Sequence, residues 1–258
     1  MTIPFVKAHG AGNDFLLIEE LPEASYPDLA RALCDRHRGL GADGLIVFTG
    51  PTRIRLFNSD GSEAELSGNG TRCAAAWLVD QGRASETLEI ETMAGPKRLR
   101  LIERHGSRFV FEMSMGQPQY SRETLAISAG PSPVTILEVG NPQCALLVES
   151  LDFDWQALGR EIEAHPRFPR RTNVSFSRIV DPHSIEARFW ERGAGATLSS
   201  GTGSTGAACA AILSGRVESP VGVLTQSGAL QVSWQPGQEA LLNGPAEIVA
   251  VGQAFLSV

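Results

Sequence analysis

The sequence turns on the stretch Phe189-Trp190-Glu191-Arg192-Gly193-Ala194-Gly195-Ala196-Thr197-Leu198-Ser199-Ser200-Gly201-Thr202-Gly203, which runs directly into Ser204-Thr205-Gly206-Ala207-Ala208-Cys209-Ala210-Ala211-Ile212-Leu213. Glycines at this spacing, followed by small helix formers, predict a tight loop that delivers the chain onto a helix N-terminus. Such a terminus presents unpaired N–H groups and the positive end of the helix dipole, so it suits a carboxylate or a phosphate. Ser200 stands where an N-cap belongs.

A second copy lies upstream. Phe57-Asn58-Ser59-Asp60-Gly61-Ser62-Glu63-Ala64-Glu65-Leu66-Ser67-Gly68-Asn69-Gly70-Thr71-Arg72-Cys73-Ala74-Ala75 aligns without a gap at an offset of 200 − 67 = 133. Ser67/Ser200, Gly68/Gly201, Gly70/Gly203, Ala74/Ala207 and Ala75/Ala208 match, and an aromatic residue opens each copy. An offset near half of the 258 residues predicts two similar domains, each offering one Ser-Gly-x-Gly helix start. If the two starts face each other, one substrate anion fits between them.

With 42% hydrophobic residues the chain can bury two cores of ordinary size. Its net charge of −7 and scattered basic residues provide no stripe for nucleic acid and no polybasic membrane patch. No apolar run has the roughly 18 residues of a spanning helix, and the N-terminus lacks a signal peptide's pattern, so a cytoplasmic protein is expected. Cys34, Cys73, Cys144 and Cys209 are dispersed, which suits neither a disulfide framework nor zinc and predicts four thiols in or near the core. A homodimer is left open.

Outward from the two copies, Ile3–Lys7 and Phe15–Ile18 read as strands around the glycine loop His9-Gly10-Ala11-Gly12-Asn13-Asp14, and Asp28–Cys34 as a helix. Strands are predicted at Leu45–Phe48, Ile54–Phe57, Leu88–Thr92, Leu99–Glu103 and Arg108–Met113. Gly116-Gln117-Pro118 is the expected crossover, and the segment from there to Pro133 shows no period. The second half repeats the plan, with strands at Val134–Val139, Ala145–Val148, Val174–Val180 and Ile185–Trp190, and a helix over Asp154–Ala164 that Asp154 can cap. Four short strands follow, near Val221–Thr225, Leu230–Trp234, Ala240–Leu242 and Ile248–Val251. The expected domains are 1–117, joined by a last strand at about 247–258, and 118–246.

His9 to Phe15, Gly41-Ala42-Asp43-Gly44, Asn58 to Cys73, Gly140-Asn141-Pro142, Asn173-Val174 and Glu191 to Gly203 together resemble the diaminopimelate epimerase family, in the family's order and over nearly the whole chain. The resemblance implies an α/β fold of two pseudo-symmetric domains, each a curled, mostly antiparallel sheet around a central helix, with the active site in the cleft between them. It implies inversion of an amino acid's α-carbon without pyridoxal phosphate, one cysteine removing a proton and another supplying one, in lysine and cell-wall precursor synthesis. The small-molecule partner is then an amino acid, and no cofactor is expected. The family pattern Glu-Leu-Cys-Gly-Asn-Gly places its first cysteine at Ser67, and Leu-Ala-Cys-Gly-Thr-Gly places its second at Ser200. Gln143 stands where the family has His after Asn-Pro, and Ala196 where Glu is usual. Asn13, Asn58, Gly68, Asn69, Asn141, Asn173, Glu191, Arg192, Gly201 and Thr202 match positions that line the family's substrate pocket, so the pocket is kept while titrating groups are changed.

A thiol has a pKa of about 8.5, lowered at a helix N-terminus, whereas a serine hydroxyl needs an adjacent base. Glu191 joins the two serines as a catalytic candidate, as the group that would activate them. Cys73 and Cys209 lie six and nine residues into their helices, about 9 and 13 Å along the axis, and read as core. The residues leave open whether Ser67 and Ser200 only cap or also take part in chemistry. Gly201 to Gly206 satisfies G-x-G-x-x-G but has a symmetry mate and no βαβ frame, which argues against a dinucleotide. The only lysines, Lys7 and Lys97, lie outside any pocket-like context, which argues against a Schiff-base cofactor. Two other readings stay open: a same-fold isomerase that moves a proton in an unsaturated dicarboxylic acid, and a binding protein that keeps the pocket without turnover.

Overall fold

The computed structural model describes residues 2–22 and 24–255. The chain divides into two compact units, Met1–Met113 with Gly244–Val258, and Ser114–Asn243. Both are sheet-dominated α/β units.

Unit 1 begins with β1 (Thr2–Gly10) and β2 (Asn13–Glu19), an antiparallel pair with Val6 opposite Leu17. The turn between them needs left-handed backbone, which Gly12 supplies at φ 79°. Helix α1 (Tyr26–Cys34) carries the chain to β3 (Gly44–Phe48), parallel to β2, and β4 (Ile54–Asn58) returns antiparallel to β3. All five residues of β3 are buried, as its continuous apolar run predicts for a strand covered on both faces. After the short β5 (Glu63–Ala64) comes α2 (Gly68–Asp80), buried along nearly its whole length. The antiparallel meander β6 (Thr87–Thr92), β7 (Gly95–His105) and β8 (Arg108–Gly116) follows. Leu16, Ile18, Leu29, Leu33, Leu45, Val47 and Phe57 form a core between α1 and the sheet.

Unit 2 opens with β9 (Gln119–Ile127) and β10 (Gly130–Glu138), a nine-residue antiparallel hairpin. The sequence shows no period there because β9 is exposed over its first four residues, Gln119-Tyr120-Ser121-Arg122, and its buried alternation begins only at Leu125. β11 (Pro142–Leu147), α3 (Trp155–Glu163), β12 (Asn173–Asp181), β13 (Ser184–Glu191) and β14 (Gly195–Thr197) then repeat the plan of unit 1. β11 and β12 are parallel, β12 and β13 antiparallel. The Asp154 side chain caps α3 by accepting from the Ala157 N–H at 3.0 Å. Helix α4 (Gly201–Leu213) is buried from Gly201 through Ala211, which its run of Gly, Ala, Ser and Thr allows.

β15 (Val221–Thr225) and β16 (Gly228–Ser233) lead to β17 (Ala240–Phe255). The last two predicted strands are therefore one. Gly244-Pro245 resembles a turn in sequence, yet burial alternates without a break from Ala240 through Glu247, so the strand runs through the proline. Its first part pairs with β16 and its later part with β1. Among the described residues, no helix is long and apolar enough to cross a membrane.

Candidate functional site

Each unit holds one helix start with candidate residues tied to it. In unit 1, Ser67 has extended backbone (φ −129°, ψ 119°), and its Oγ accepts the Gly70 N–H at 3.1 Å. In unit 2, Ser200 does the same (φ −138°, ψ 125°), with Gly203 N–H donating to its Oγ at 3.1 Å. Both serines are N-caps, as their position predicts. The cap consumes an acceptor lone pair and leaves each hydroxyl hydrogen available to a ligand.

The pairing registers reveal a second symmetric pair. Leu16, Leu45 and Phe57 stand abreast in unit 1, and Cys144, Val174 and Trp190 in unit 2. Three residues before Leu16 is Asn13, and three before Cys144 is Asn141. Each follows a glycine in left-handed conformation, Gly12 at φ 79° and Gly140 at φ 86°. Each is also tied to the second residue of its helix: Asn69 Nδ2 donates to Asn13 Oδ1 at 3.3 Å, and Asn141 Nδ2 to Thr202 Oγ1 at 3.3 Å.

In unit 1 the chain of contacts continues in both directions. Asn13 Nδ2 donates to Asp43 Oδ2 at 2.7 Å, and Asp43 pairs with Arg36 at 2.7 Å. Asp14 takes Arg36 at 2.8 Å and Lys7 at 3.1 Å. Burial pushes the Asp14 carboxyl up, but hydrogen bonds and charge from Arg36 and Lys7 outweigh it and hold the group below the usual range. At the other end Arg72, fully buried, donates to Asn69 Oδ1, Gly68 O (3.1 Å) and Pro245 O (3.1 Å). Burial pulls its guanidinium down to about 10, so it stays a cation at neutral pH, neutralised by no carboxylate within hydrogen-bond reach among the described residues. Arg72 and Asp43 together fix which way the Asn69 and Asn13 amides point, since a donor at one end and an acceptor at the other permit a single orientation. Gly10 makes room, because a Cβ there would lie 3.1 Å from Asn69 Cα. Asn58 closes a turn, its Nδ2 donating to Ser62 Oγ at 2.9 Å.

In unit 2, Gln143 Nε2 donates to Asn141 Oδ1 at 2.6 Å and to Thr202 Oγ1 at 3.1 Å. Gln143 is fully buried. Asn173 Nδ2 donates to Pro142 O at 2.9 Å, and Asn173 Oδ1 accepts the Arg192 N–H at 2.9 Å. Glu191 Oε1 accepts the Thr197 hydroxyl at 2.7 Å. The structure thus ties Asn13 to Asn69 in one unit, and Asn141 to Thr202 and Asn173 to Arg192 in the other, while Asn58 and Glu191 are held by Ser62 and Thr197. The sequence reading assigned no role to Arg72, Asp14 or Asp43, although all three lie within the motifs quoted.

The four thiols are buried. Desolvation pushes Cys34, Cys73 and Cys144 up to about 12 and Cys209 higher still. None is a thiolate near neutral pH, so none replaces a missing base.

A family model described as diaminopimelate epimerase matches residues 5–121 and again 135–249. The chain belongs to this family. Diaminopimelate epimerase of Pelotomaculum thermopropionicum is 38% identical, over 96% of this chain and 98% of that protein. The corresponding protein of Moorella thermoacetica is 40% identical, over 94% and 95%. A solved structure described as a predicted epimerase from Pseudomonas aeruginosa superposes with a TM-score of 0.75, covering 99% of this chain and all of that one, at 17% identity, and so shares the fold. The two stretches matched by the family model contain the two Ser-Gly-x-Gly helix starts, one each.

Proposed function

We propose that this diaminopimelate epimerase family protein binds diaminopimelate and acts on the α-carbon without pyridoxal phosphate, in lysine and cell-wall precursor synthesis. The observation that carries the reading is the matched pair of sites: each unit holds a serine-capped helix start with an asparagine tied to its second residue, in a family-matching sequence. Fixed N–H groups at the starts of α2 and α4 suit an α-carboxylate, and negative charge that develops as the α-proton leaves is stabilised there by donors that need no reorganisation. Arg192 supplies a planar guanidinium for a second carboxylate, and Asn13, Asn58, Asn141 and Asn173 supply amides for the ammonium groups.

Ser67 and Ser200 take the places of the two proton-transferring groups in this reading. A hydroxyl does not ionise near neutral pH without a base, Gln143 cannot serve as one, and the thiols are too deep and too weakly acidic. Glu191, the carboxylate among the catalytic candidates, already accepts the Thr197 hydroxyl. Proton exchange at the α-carbon is therefore slow in this sequence, while binding is retained.

The test is loss of the α-proton of LL-diaminopimelate in D₂O, followed by NMR. The unaltered protein exchanges slowly, and Ser67→Cys with Ser200→Cys together raise exchange by at least 100-fold, because a thiol beside a helix N-terminus reaches the thiolate at neutral pH. Diaminopimelate raises Tm through its preference for the folded state, and Arg192→Ala removes the rise. No Tm shift with any stereoisomer at millimolar concentration would sink the substrate assignment. Binding without exchange in the double cysteine variant would point instead to a binding protein. A Tm response to unsaturated dicarboxylates alone would point to an isomerase of such acids.

A further inference from the structure

Helix α3 packs against Trp190, which immediately precedes Glu191 and Arg192. Three residues of α3 meet that tryptophan. Gly159 lets it in: a Cβ on Gly159 would lie 2.7 Å from Trp190 Cβ, so only glycine permits this approach. Arg160 places its guanidinium over the indole, 5.2 Å from the ring centroid. Glu163, four residues after Gly159 and on the same helix face, accepts the indole N–H at its Oε2, 2.7 Å away.

Glu163 is 6% exposed, and its other oxygen does not go to waste. Oε1 accepts the Gly193 N–H at 3.2 Å, and Arg171 reaches the same oxygen at 3.3 Å. Gly193 has left-handed backbone, φ 78°, at the turn between β13 and β14. One carboxylate therefore holds both the residue before Glu191-Arg192 and the residue after it. The Arg192 N–H between these two anchors donates to Asn173 Oδ1 at 2.9 Å, so the turn is fixed at Trp190, at Arg192 and at Gly193.

We propose that Glu163 is a positioning residue: it clamps the Glu191–Gly193 turn from α3 and thereby sets where the Arg192 side chain meets an anionic substrate group. A carboxylate is required because it alone among side chains of this length offers two acceptors and no donor, matching two N–H groups that diverge from the turn. An amide in its place has one acceptor and turns an NH₂ group toward an N–H donor, leaving Trp190 Nε1 or Gly193 N buried without a partner. The effect on substrate rests on the reading given under Proposed function, whereas the effect on the turn does not.

The experiment uses the full chain and Glu163→Gln, with Trp190→Phe as a second variant that keeps the Gly193 anchor and the apolar packing. The reporter is native-state exchange of the Arg192 amide, whose own acceptor on Asn173 neither substitution alters. Glu163→Gln is expected to speed that exchange at least tenfold, and Trp190→Phe by a smaller factor. One of the four indole N–H resonances, assigned by its loss in Trp190→Phe, shifts in Glu163→Gln. In the same samples Glu163→Gln raises the Kd for diaminopimelate at least tenfold, and Glu163→Gln combined with Arg192→Ala is no weaker than Arg192→Ala alone. Unchanged Arg192 exchange in a folded Glu163→Gln protein overturns the clamp, and faster exchange with an unchanged Kd overturns its role in placing the Arg192 side chain. If the unaltered protein does not bind diaminopimelate, the substrate reading fails by itself and the exchange measurement alone decides whether Glu163 holds the turn. Should Glu163→Gln not fold, Trp190→Phe carries the same exchange test with its smaller expected change.

Discussion

The helix starts of α2 and α4 have the same backbone and different surroundings. In both, a serine caps at 3.1 Å, and the fourth residue after it or its successor returns a hydroxyl to the chain: Thr71 Oγ1 to Ser67 O at 2.8 Å, Thr205 Oγ1 to Gly201 O at 2.9 Å. At the offset that aligns the serines, Arg72 corresponds to Thr205. One start therefore has a buried cation behind it and the other a neutral hydroxyl. The Ser-Gly-x-Gly sequence sets the shape of the anion site, and the residue five places after the serine sets its charge.

The strongest way to break this comparison is to remove the two differing residues. Arg72→Ala leaves Gly68 O, Asn69 Oδ1 and Pro245 O without their donor and opens a cavity the size of a guanidinium. Recovered desolvation of the cation offsets part of the loss, and a net destabilisation of about 2–4 kcal/mol is expected. Thr205→Ala gives up one hydrogen bond and a methyl group, about 1 kcal/mol. Urea denaturation of both variants ranks them, and equal losses would mean that Arg72 is no more than a helix-packing residue.

The glycines inside the two starts give the next largest contrast. A Cβ at Gly203 would lie 2.7 Å from Phe189 Cδ1 and 3.0 Å from both Ser200 Cβ and its capping Oγ, whereas one at Gly70 would meet Leu56 Cδ1 at 2.9 Å, Ile46 Cδ1 at 3.2 Å and Ser67 Cβ only at 3.3 Å. An aromatic ring and the cap itself cannot move as a leucine methyl can. Gly203→Ala is expected to cost about 3 kcal/mol and Gly70→Ala about 1 kcal/mol. The reverse order in the same denaturation assay would show that α4 has room that α2 lacks.

The repeat of serine-capped starts was legible because its 19 residues align without a gap. The equivalence of Asn13 and Asn141 was not, because their spacing is 141 − 13 = 128 rather than 133, and only the strand registers put Leu16 and Cys144 in corresponding rows of the two units. The cores followed from apolar periodicity. β9 did not, because its first half is exposed and carries no alternation. Arg72 sits in plain view after Gly70-Thr71, but nothing in the sequence distinguishes a buried arginine held by carbonyl oxygens from a surface one. Glu163 is less legible still. It is the last residue of an amphipathic helix, where a glutamate usually faces water, and only the packing of Gly159 on Trp190 turns it inward.

Removing the shared element tests the comparison at the point where the two starts should agree. Ser67→Ala and Ser200→Ala each delete one cap of the same geometry, so each is expected to cost about 1 kcal/mol, with the two values within about 0.5 kcal/mol of each other. A loss at one serine several times that at the other would show that its hydroxyl has a further partner in the folded protein.

The smallest effect separates the two asparagines by pH. Asn13 is anchored on a charged network, Asp43 and Asp14 with Arg36 and Lys7, whereas Asn141 is anchored on the neutral amide of Gln143. The Asp14 carboxyl is held below its ordinary value in the folded protein, so the folded state binds its proton less readily than the unfolded state does. Its contribution is therefore present above the unfolded value of about 3.9 and is lost as pH falls from there through the folded value. Arg36 is half exposed, so water screens the pair and the contribution is no more than about 1 kcal/mol. Below about pH 4 the side-chain amide signals of Asn13 should move while those of Asn141 stay in place, and Asp14→Asn should flatten the acid limb of stability against pH. Amide signals of Asn13 and Asn141 that move together with falling pH would show that the two starts share one electrostatic environment, and the contrast between them would then be one of packing alone.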